Sequence, residues 1–214
     1  VMAMIPDQYR RKISKDEINA LPIRRYEGEV RLGRTPEELE AAVDALARET
    51  VLGFDTETKP TFRKGKVNAP ALVQFAAAEV VFLIQLGRVP MGEGIASILG
   101  DAGIVKAGVS IVDDVRELQK QYPFQSAGLV DLGDVARALR METQGLRNLA
   151  ANFFGWRISK GPQCSNWSLA ELTPRQVAYA ATDAWIGREV YLKMRELDLL
   201  PRSFLPLEQR HSHA

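Results

Sequence analysis

The chain has almost none of the residues that make disulfides or soft-metal sites. Of 214 residues, one is cysteine and two are histidine. A lone Cys164 excludes an internal disulfide and a cysteine-rich zinc site. His211 and His213 sit near the end of the chain and match no metal-ligand spacing. Charge of one sign is also missing. The formal net charge is +1, so composition alone does not point to a polyanion partner. No uninterrupted apolar run approaches the roughly 20 residues of a membrane span, so no membrane association is expected. Val1 to Asp16 is polar and charged and lacks the apolar stretch of a signal peptide. A reduced, cytoplasmic protein is the expectation, with no obligate protein partner evident.

A hydrophobic share of 46% and a charged share of 26% are those of a soluble globular chain, long enough for one large domain with a sizeable core. Residues 1–34 show no clear periodicity and read as an arm, with a short helical turn at Asp16 to Ala20. They are mildly basic, carrying Arg10, Arg11, Lys12, Arg24 and Arg25. Thr35-Pro36-Glu37-Glu38 opens a helix: a threonine cap, proline at the first helical position, and a glutamate to close a capping box. That helix is expected to run to about Thr50. Val51–Phe54, Ala71–Ala77, Val80–Ile84, Ile104–Gly108 and Leu129–Leu132 are the five expected strands. The short link at Ala78-Glu79 makes the second and third a hairpin. Helices are expected at Gly94–Leu99, Ile111–Gln121, Asp134–Arg140 and Leu146–Phe154. Gly161–Ser168 reads as a loop. Thr173-Pro174-Arg175-Gln176 repeats the helix-start signal and opens a long helix to about Leu197. Antiparallel strands followed by strands alternating with helices predict an α/β fold with a mixed sheet flanked by helices. The expected division is an arm at 1–34, a domain at 35–200 and a tail at 201–214.

Three acidic elements stand out. Asp55 and Glu57 close an apolar strand, and residues i and i+2 of a strand project to one side. Two carboxylates side by side at a buried sheet are costly through repulsion and desolvation. A hard divalent cation, which takes oxygen ligands, removes that cost; a strand merely entering a polar loop is the plainer alternative. Asp113 and Asp114 follow a strand and open a helix, where an acid also serves as a simple dipole partner. Tyr179 and Asp183 are four residues apart in the long helix and share one face, with small alanines between them. Lys59, Arg63, Lys64 and Lys66 form a basic stretch without an acid, either a solvated loop or a phosphate-contacting surface.

Phe54-Asp55-Thr56-Glu57, the Asp114 segment and Tyr179-x-x-x-Asp183 resemble the three motifs of the DEDDy-type 3′-5′ exonuclease family. That family includes ribonuclease D, the proofreading domain of DNA polymerase I and the exonuclease domain of the Werner syndrome helicase. Lys106-Ala107-Gly108-Val109 and Cys164-Ser165-Asn166-Trp167-Ser168 resemble stretches of the last of these, in the same order. The likeness spans about residues 35 to 198. It implies a ribonuclease H-like fold with a five-stranded mixed sheet. It also implies a two-metal-ion 3′-5′ exonuclease acting on a DNA or RNA 3′ end and releasing nucleoside 5′-monophosphates. Asp55, Glu57, Asp114 and Asp183 would hold two divalent cations, Mg²⁺ or Mn²⁺, and Tyr179 would orient the attacking water. Asp114 is chosen over Asp113 because the family's acid follows the Gly-Val-x-Ile element by three residues. Thr56, Arg63, Lys64, Lys66, Arg147, Asn148 and Trp167 are the candidate substrate contacts, with Trp167 either stacking on a base or simply packed. The first motif continues into Lys59-Pro60, unlike the Werner sequence. The competing reading is a catalytically inactive nucleic-acid-binding protein on a nuclease-like fold. Loss of one of the four carboxylates would favour it, and all four are present.

Overall fold

The computed structural model describes residues 5–61 and 68–205. Arg63, Lys64 and Lys66, named above as substrate contacts, lie outside the described residues. The chain opens with helices α1 (Asp7–Arg10) and α2 (Lys15–Ala20), strand β1 (Glu29–Gly33) and helix α3 (Pro36–Leu46). Strands β2 (Val51–Thr58), β3 (Pro70–Ala76) and β4 (Val80–Gln85) follow, then helix α4 (Glu93–Gly100), strand β5 (Val105–Gly108) and helix α5 (Ile111–Gln121). Strand β6 (Leu129–Asp131) leads into helices α6 (Leu132–Ala138), α7 (Leu146–Phe154) and α8 (Pro174–Glu196).

The strands form one mixed sheet in the order β1-β4-β3-β2-β5-β6. β2, β3 and β4 are antiparallel neighbours. β5 and β6 extend the sheet in parallel beyond β2. The sheet has six strands where five were expected. The sixth is β1, inside the segment read as an arm, and it runs parallel to β4 with Leu32 beside Leu83. Val30 and Leu32 alternate with Glu29 and Arg31, the pattern of an edge strand with one covered face.

Cap chemistry sets the helix starts. The Thr173 hydroxyl accepts from the Gln176 N–H, and the Gln176 side chain accepts from the Thr173 N–H, so α8 begins with the full reciprocal box. At α3 the box is different from the one expected. The Thr35 hydroxyl accepts from Glu38 N–H at 3.2 Å, but the Glu38 carboxylate reaches the Arg34 N–H at 2.7 Å. α3 ends at Leu46, short of the expected Thr50, because the chain must turn back by Val51 to enter β2; tight bonds from Arg48 and Glu49 to Ala45 and Leu46 make that turn.

Two layers of helix cover the sheet. Leu52, Phe54, Val73, Phe75, Phe82 and Ile84 meet α3, α4 and α5 on one face. On the other, Leu72, Ala76, Val81 and Leu83 meet Tyr179, Ala180, Ala181 and Ala184 of α8. α8 lies unusually close to the strands because the residues between them are small. A Cβ on Gly53 would stand 1.8 Å from the Ala184 carbonyl oxygen, and one on Gly187 would stand 2.9 Å from that of Ala107. Gly53→Ala is therefore expected to cost about 3 kcal/mol, because two backbones would have to separate. A melting temperature equal to the wild type's would show that α8 can slide on the sheet without loss.

Candidate active site

β2 continues to Thr58, so Asp55 and Glu57 are strand residues on one face of the sheet. Gly53 shares that face and sits directly beneath Ala184 of α8. The close approach at Gly53 brings the preceding helical residue, Asp183, onto the strand's two carboxylates. Ligand oxygens of Asp55, Glu57 and Asp183 all lie within 4.8 Å of one another. Asp55 is steadied by the backbone N–H of Thr56, which donates to its Oδ1 at 2.9 Å.

Asp114 arrives through a strained turn. Between β5 and α5, Ser110 adopts φ 62° and ψ 22°, in the left-handed region. For a serine this costs on the order of 1 kcal/mol and persists only where the surroundings enforce it. The turn divides the two neighbouring acids. Asp113 is exposed and pairs with Arg116 at 2.8 Å. Asp114 is half-buried, and its charge acts on both Asp55 and Glu57.

The electrostatics are those of carboxylates crowded together out of water. Burial, then the charges of Asp183, Glu57 and Asp114, hold Asp55 well above the usual carboxylate range. Burial, then Asp183 and Asp114, push Glu57 up to about 9. Burial also raises Asp114 to about 6, with Asp113 and Asp131 adding to it. Asp183 rises to about 6 through burial, against the pull of Tyr179 and Arg147. Among the described residues no basic side chain acts on Asp55, Glu57 or Asp114, and Arg147 acts on Asp183. Four crowded carboxylates with one arginine acting on one of them fall short of charge balance, and their all-oxygen donor set is the one that hard divalent cations take.

Tyr179 is one turn before Asp183 on the same face of α8. Burial and the charges of Asp183 and Glu57 hold its hydroxyl far above its ordinary value. The phenol therefore stays protonated at any working pH and donates a hydrogen bond. Trp167 fixes that ring from behind. It is 1% exposed, with its ring centroid 6.0 Å from that of Tyr179, and its indole N–H is directed at the Gln163 carbonyl oxygen. The stacking role considered for Trp167 is thus corrected: the ring packs in the core and offers no face to a base. Thr56 is also buried, supports Asp55 through its backbone, and does not line the cavity.

Two of the carboxylates, Asp55 and Asp183, open onto a cavity of about 970 Å³ that Tyr179, Arg147 and Asn148 also line. Arg147 and Asn148 are therefore placed beside the acidic centre. Residues that sequence reading did not single out also line it: Lys15 from α2, with Lys160 and Gln163 after α7. Gln163 falls in the loop expected at Gly161–Ser168, but no local pattern says which cavity a loop faces.

Comparison with known proteins agrees with this geometry. Residues 30–197 match the family described as 3′-5′ exonuclease. The chain is 32% identical, over 174 residues and 75% of its length, to the bifunctional 3′-5′ exonuclease/ATP-dependent helicase WRN of Mus musculus, of which this covers 12%. It is 32% identical over 209 residues, 84% of its length, to the exonuclease mut-7 homolog of Homo sapiens, and spans 24% of that protein. Among solved structures, the Nibbler EXO domain of Aedes aegypti superposes with a TM-score of 0.72 at 24% identity, covering 86% of this chain and 97% of that one. The superposition bears out the ribonuclease H-like α/β fold that the motifs implied. With a family match over most of the chain, and the acids of all three motifs gathered at one end of the sheet beside α8, this protein belongs to the 3′-5′ exonuclease family.

Proposed function

We propose that this protein removes nucleotides one at a time from the 3′ end of a nucleic-acid strand. The reading rests on one observation above all: three carboxylates whose oxygens lie within 4.8 Å of one another, two of which, Asp55 and Asp183, line a cavity of about 970 Å³. Asp55, Glu57 and Asp183 would hold divalent cations, with Asp114 beside them, and Mg²⁺ or Mn²⁺ fits an all-oxygen donor set. Bound there, two such cations supply charge neutralisation at the phosphate and ease deprotonation of water near neutral pH.

The chain's own groups do the rest. The Tyr179 hydroxyl, held protonated, donates to the attacking water and fixes its direction. Arg147 and Asn148 border the cavity where the strand's phosphates would lie. In the reaction the water oxygen bonds to the terminal phosphorus. The P–O3′ bond to the preceding nucleotide breaks, and that O3′ leaves with a proton. The products are a nucleoside 5′-monophosphate and a strand shorter by one unit.

The test is digestion of matched 5′-labelled DNA and RNA strands with Mg²⁺, with Mn²⁺ and with chelator. A metal-dependent ladder shortened from the 3′ end is expected, and its relative speed on the two strands ranks the substrates. Intact strands under every condition, with the protein shown to be folded, would overturn the reading and leave a binding protein on a nuclease fold.

A further inference from the structure

The N-terminal segment is fastened along α7 beside the cavity. The Tyr9 ring stacks on Phe153 with centroids 5.1 Å apart. The Glu142 N–H donates to the Arg10 carbonyl at 3.0 Å, and the Glu142 carboxylate accepts from the Lys12 N–H at 3.2 Å. The Asn152 amide donates to the Arg11 carbonyl at 2.8 Å, and the Arg157 guanidinium to the Asn19 carbonyl at 2.8 Å. The Arg157 N–H reaches the Pro22 carbonyl at 3.0 Å, and the Arg24 N–H reaches the Arg157 carbonyl at 2.9 Å. Ile13 is buried, and α2 carries its own reciprocal capping box between Ser14 and Glu17. A stretch tied at this many points has one path across the protein.

That path makes a wall of the catalytic cavity. Lys12, Ser14, Lys15 and Asn19 line the same space as Asp55 and Asp183. The charges along the segment are sorted. Arg10 pairs with Asp7 at 3.0 Å and Arg11 with Glu17 at 2.8 Å, and neither arginine lines the cavity. Lys12 and Lys15 do line it, and neither ammonium has a carboxylate partner among the described residues. Lys160 and Arg147 line it as well, with no ion pair among the described residues. Lys12 and Lys15 are thus left without a carboxylate partner among the described residues, while Arg10 and Arg11 beside them are neutralised; Arg147 differs, because its charge acts on Asp183.

We infer that the N-terminal segment is the second wall of the substrate groove, with Lys12 and Lys15 holding backbone phosphates of the strand as it enters. This rests on the exonuclease reading above. The scissile phosphate belongs at the acidic centre, where cations meet it. The phosphates that follow need another source of positive charge. Lysine suits them, since its ammonium is a point charge that carries no sequence preference.

The double variant Lys12→Ala/Lys15→Ala tests the inference in the full chain. Binding of a short 5′-labelled single strand is followed by anisotropy over a salt series, with Ca²⁺ supplied as an oxygen-seeking cation. Each phosphate contact on a single strand contributes about 0.7 to the slope of log K against log salt, so two lost contacts reduce it by about 1.4. Affinity at moderate salt is expected to fall by about tenfold or more. Lys12→Arg/Lys15→Arg keeps the charges and is expected to restore both. Lys120→Ala/Lys193→Ala, at two lysines that pair with Glu117 and Glu196 and do not line the cavity, is expected to change neither. Unchanged slope and affinity in the alanine variant would overturn the inference. Tighter binding or faster shortening would also overturn it, by showing that the segment blocks the groove. Wild-type protein that shortens strands while the lysines prove irrelevant refutes this inference alone. Wild-type protein that binds strands through these lysines without shortening them refutes the exonuclease reading and keeps the wall. Protein that neither binds nor shortens refutes both.

Discussion

Asp55→Asn is expected to abolish strand shortening while leaving the metal-free protein at least as stable as the wild type. The two halves of this result have one cause. Asp55 is at the centre of the carboxylate cluster, and the charges of Asp183, Glu57 and Asp114 all bear on it. An asparagine keeps the shape, and its carbonyl keeps one weak oxygen ligand, but the charge that attracts cations is gone. Cation-mediated stabilisation is worth several kcal/mol at the transition state, so activity is expected to fall by at least about 10³-fold. Folding responds in the opposite direction. A buried charge facing three like charges is a cost, and its removal is expected to contribute about 1 kcal/mol of stability, or a melting temperature higher by about 2–4 °C without metal. The assay is digestion rate alongside thermal unfolding in chelator. An Asp55→Asn protein that unfolds would show the carboxylate to be structural, and one that retains activity would remove Asp55 from the active site. Tyr179→Phe is a useful contrast. It keeps every carboxylate and loses one hydrogen bond to water, so its loss of rate is expected to be smaller than that of Asp55→Asn.

How much of this was legible in the amino-acid sequence depended on the range of the signal. Asp55 and Glu57 were readable as a pair because strand geometry has a period of two. Tyr179 and Asp183 were readable because helix geometry brings i and i+4 together. Both patterns are local, and the structure places all four residues at the same cluster or its edge. The choice of Asp114 over Asp113 needed the resemblance, because adjacent helical acids differ only in the direction they face. Strand β1 was missed although Val30 and Leu32 alternate with Glu29 and Arg31. A stretch that short, half exposed at the sheet's edge, gives too few repeats for periodicity to stand out. The Trp167 question could not be settled from residue type, since a tryptophan beside a polar loop serves equally to stack or to pack. Burial decides it. The cavity wall built by α2 was invisible for a different reason. Its anchors join residues 130 to 141 positions apart, as at Lys12 with Glu142 and Arg11 with Asn152, and no local pattern encodes such contacts.

Without metal, the stability of the folded protein is expected to fall as pH rises from about 4 to about 9, and divalent cations are expected to cancel that slope. In the unfolded chain these carboxyl groups titrate near 4. In the folded chain Glu57 titrates at about 9, Asp114 and Asp183 at about 6, and Asp55 well above its ordinary value. Between those limits these four groups bind more protons in the folded state than in the unfolded one; Glu17, which Ser14 and Arg11 hold at about 2, and Lys106, lowered by burial to about 8, act in the opposite sense at the two ends of the range. Stability must then decrease with rising pH. The contribution of each neutral carboxyl group is fully present below its unfolded pKa and is lost above its folded one. At about 1.4 kcal/mol for each pKa unit, the four groups together are worth on the order of several kcal/mol. Arg147 offsets a part of this at Asp183. A divalent cation reverses the preference, because the ionised carboxylates become its ligands and the protons are released. At a concentration about 100 times its dissociation constant, a cation adds about 2.7 kcal/mol, or roughly 5–10 °C in melting temperature for a chain of this size. The measurement is a set of melting curves from acid to alkaline pH, in chelator and in Mg²⁺ or Mn²⁺. A downward slope in chelator that flattens with metal would show one coupled cluster serving as a cation site. A flat curve in chelator would mean that the carboxylates are neutralised by some other group. A slope that metal leaves untouched would mean that they are crowded together but hold no cation. The three outcomes separate the acidic cluster as a metal-binding centre from the same cluster as a mere collection of buried acids.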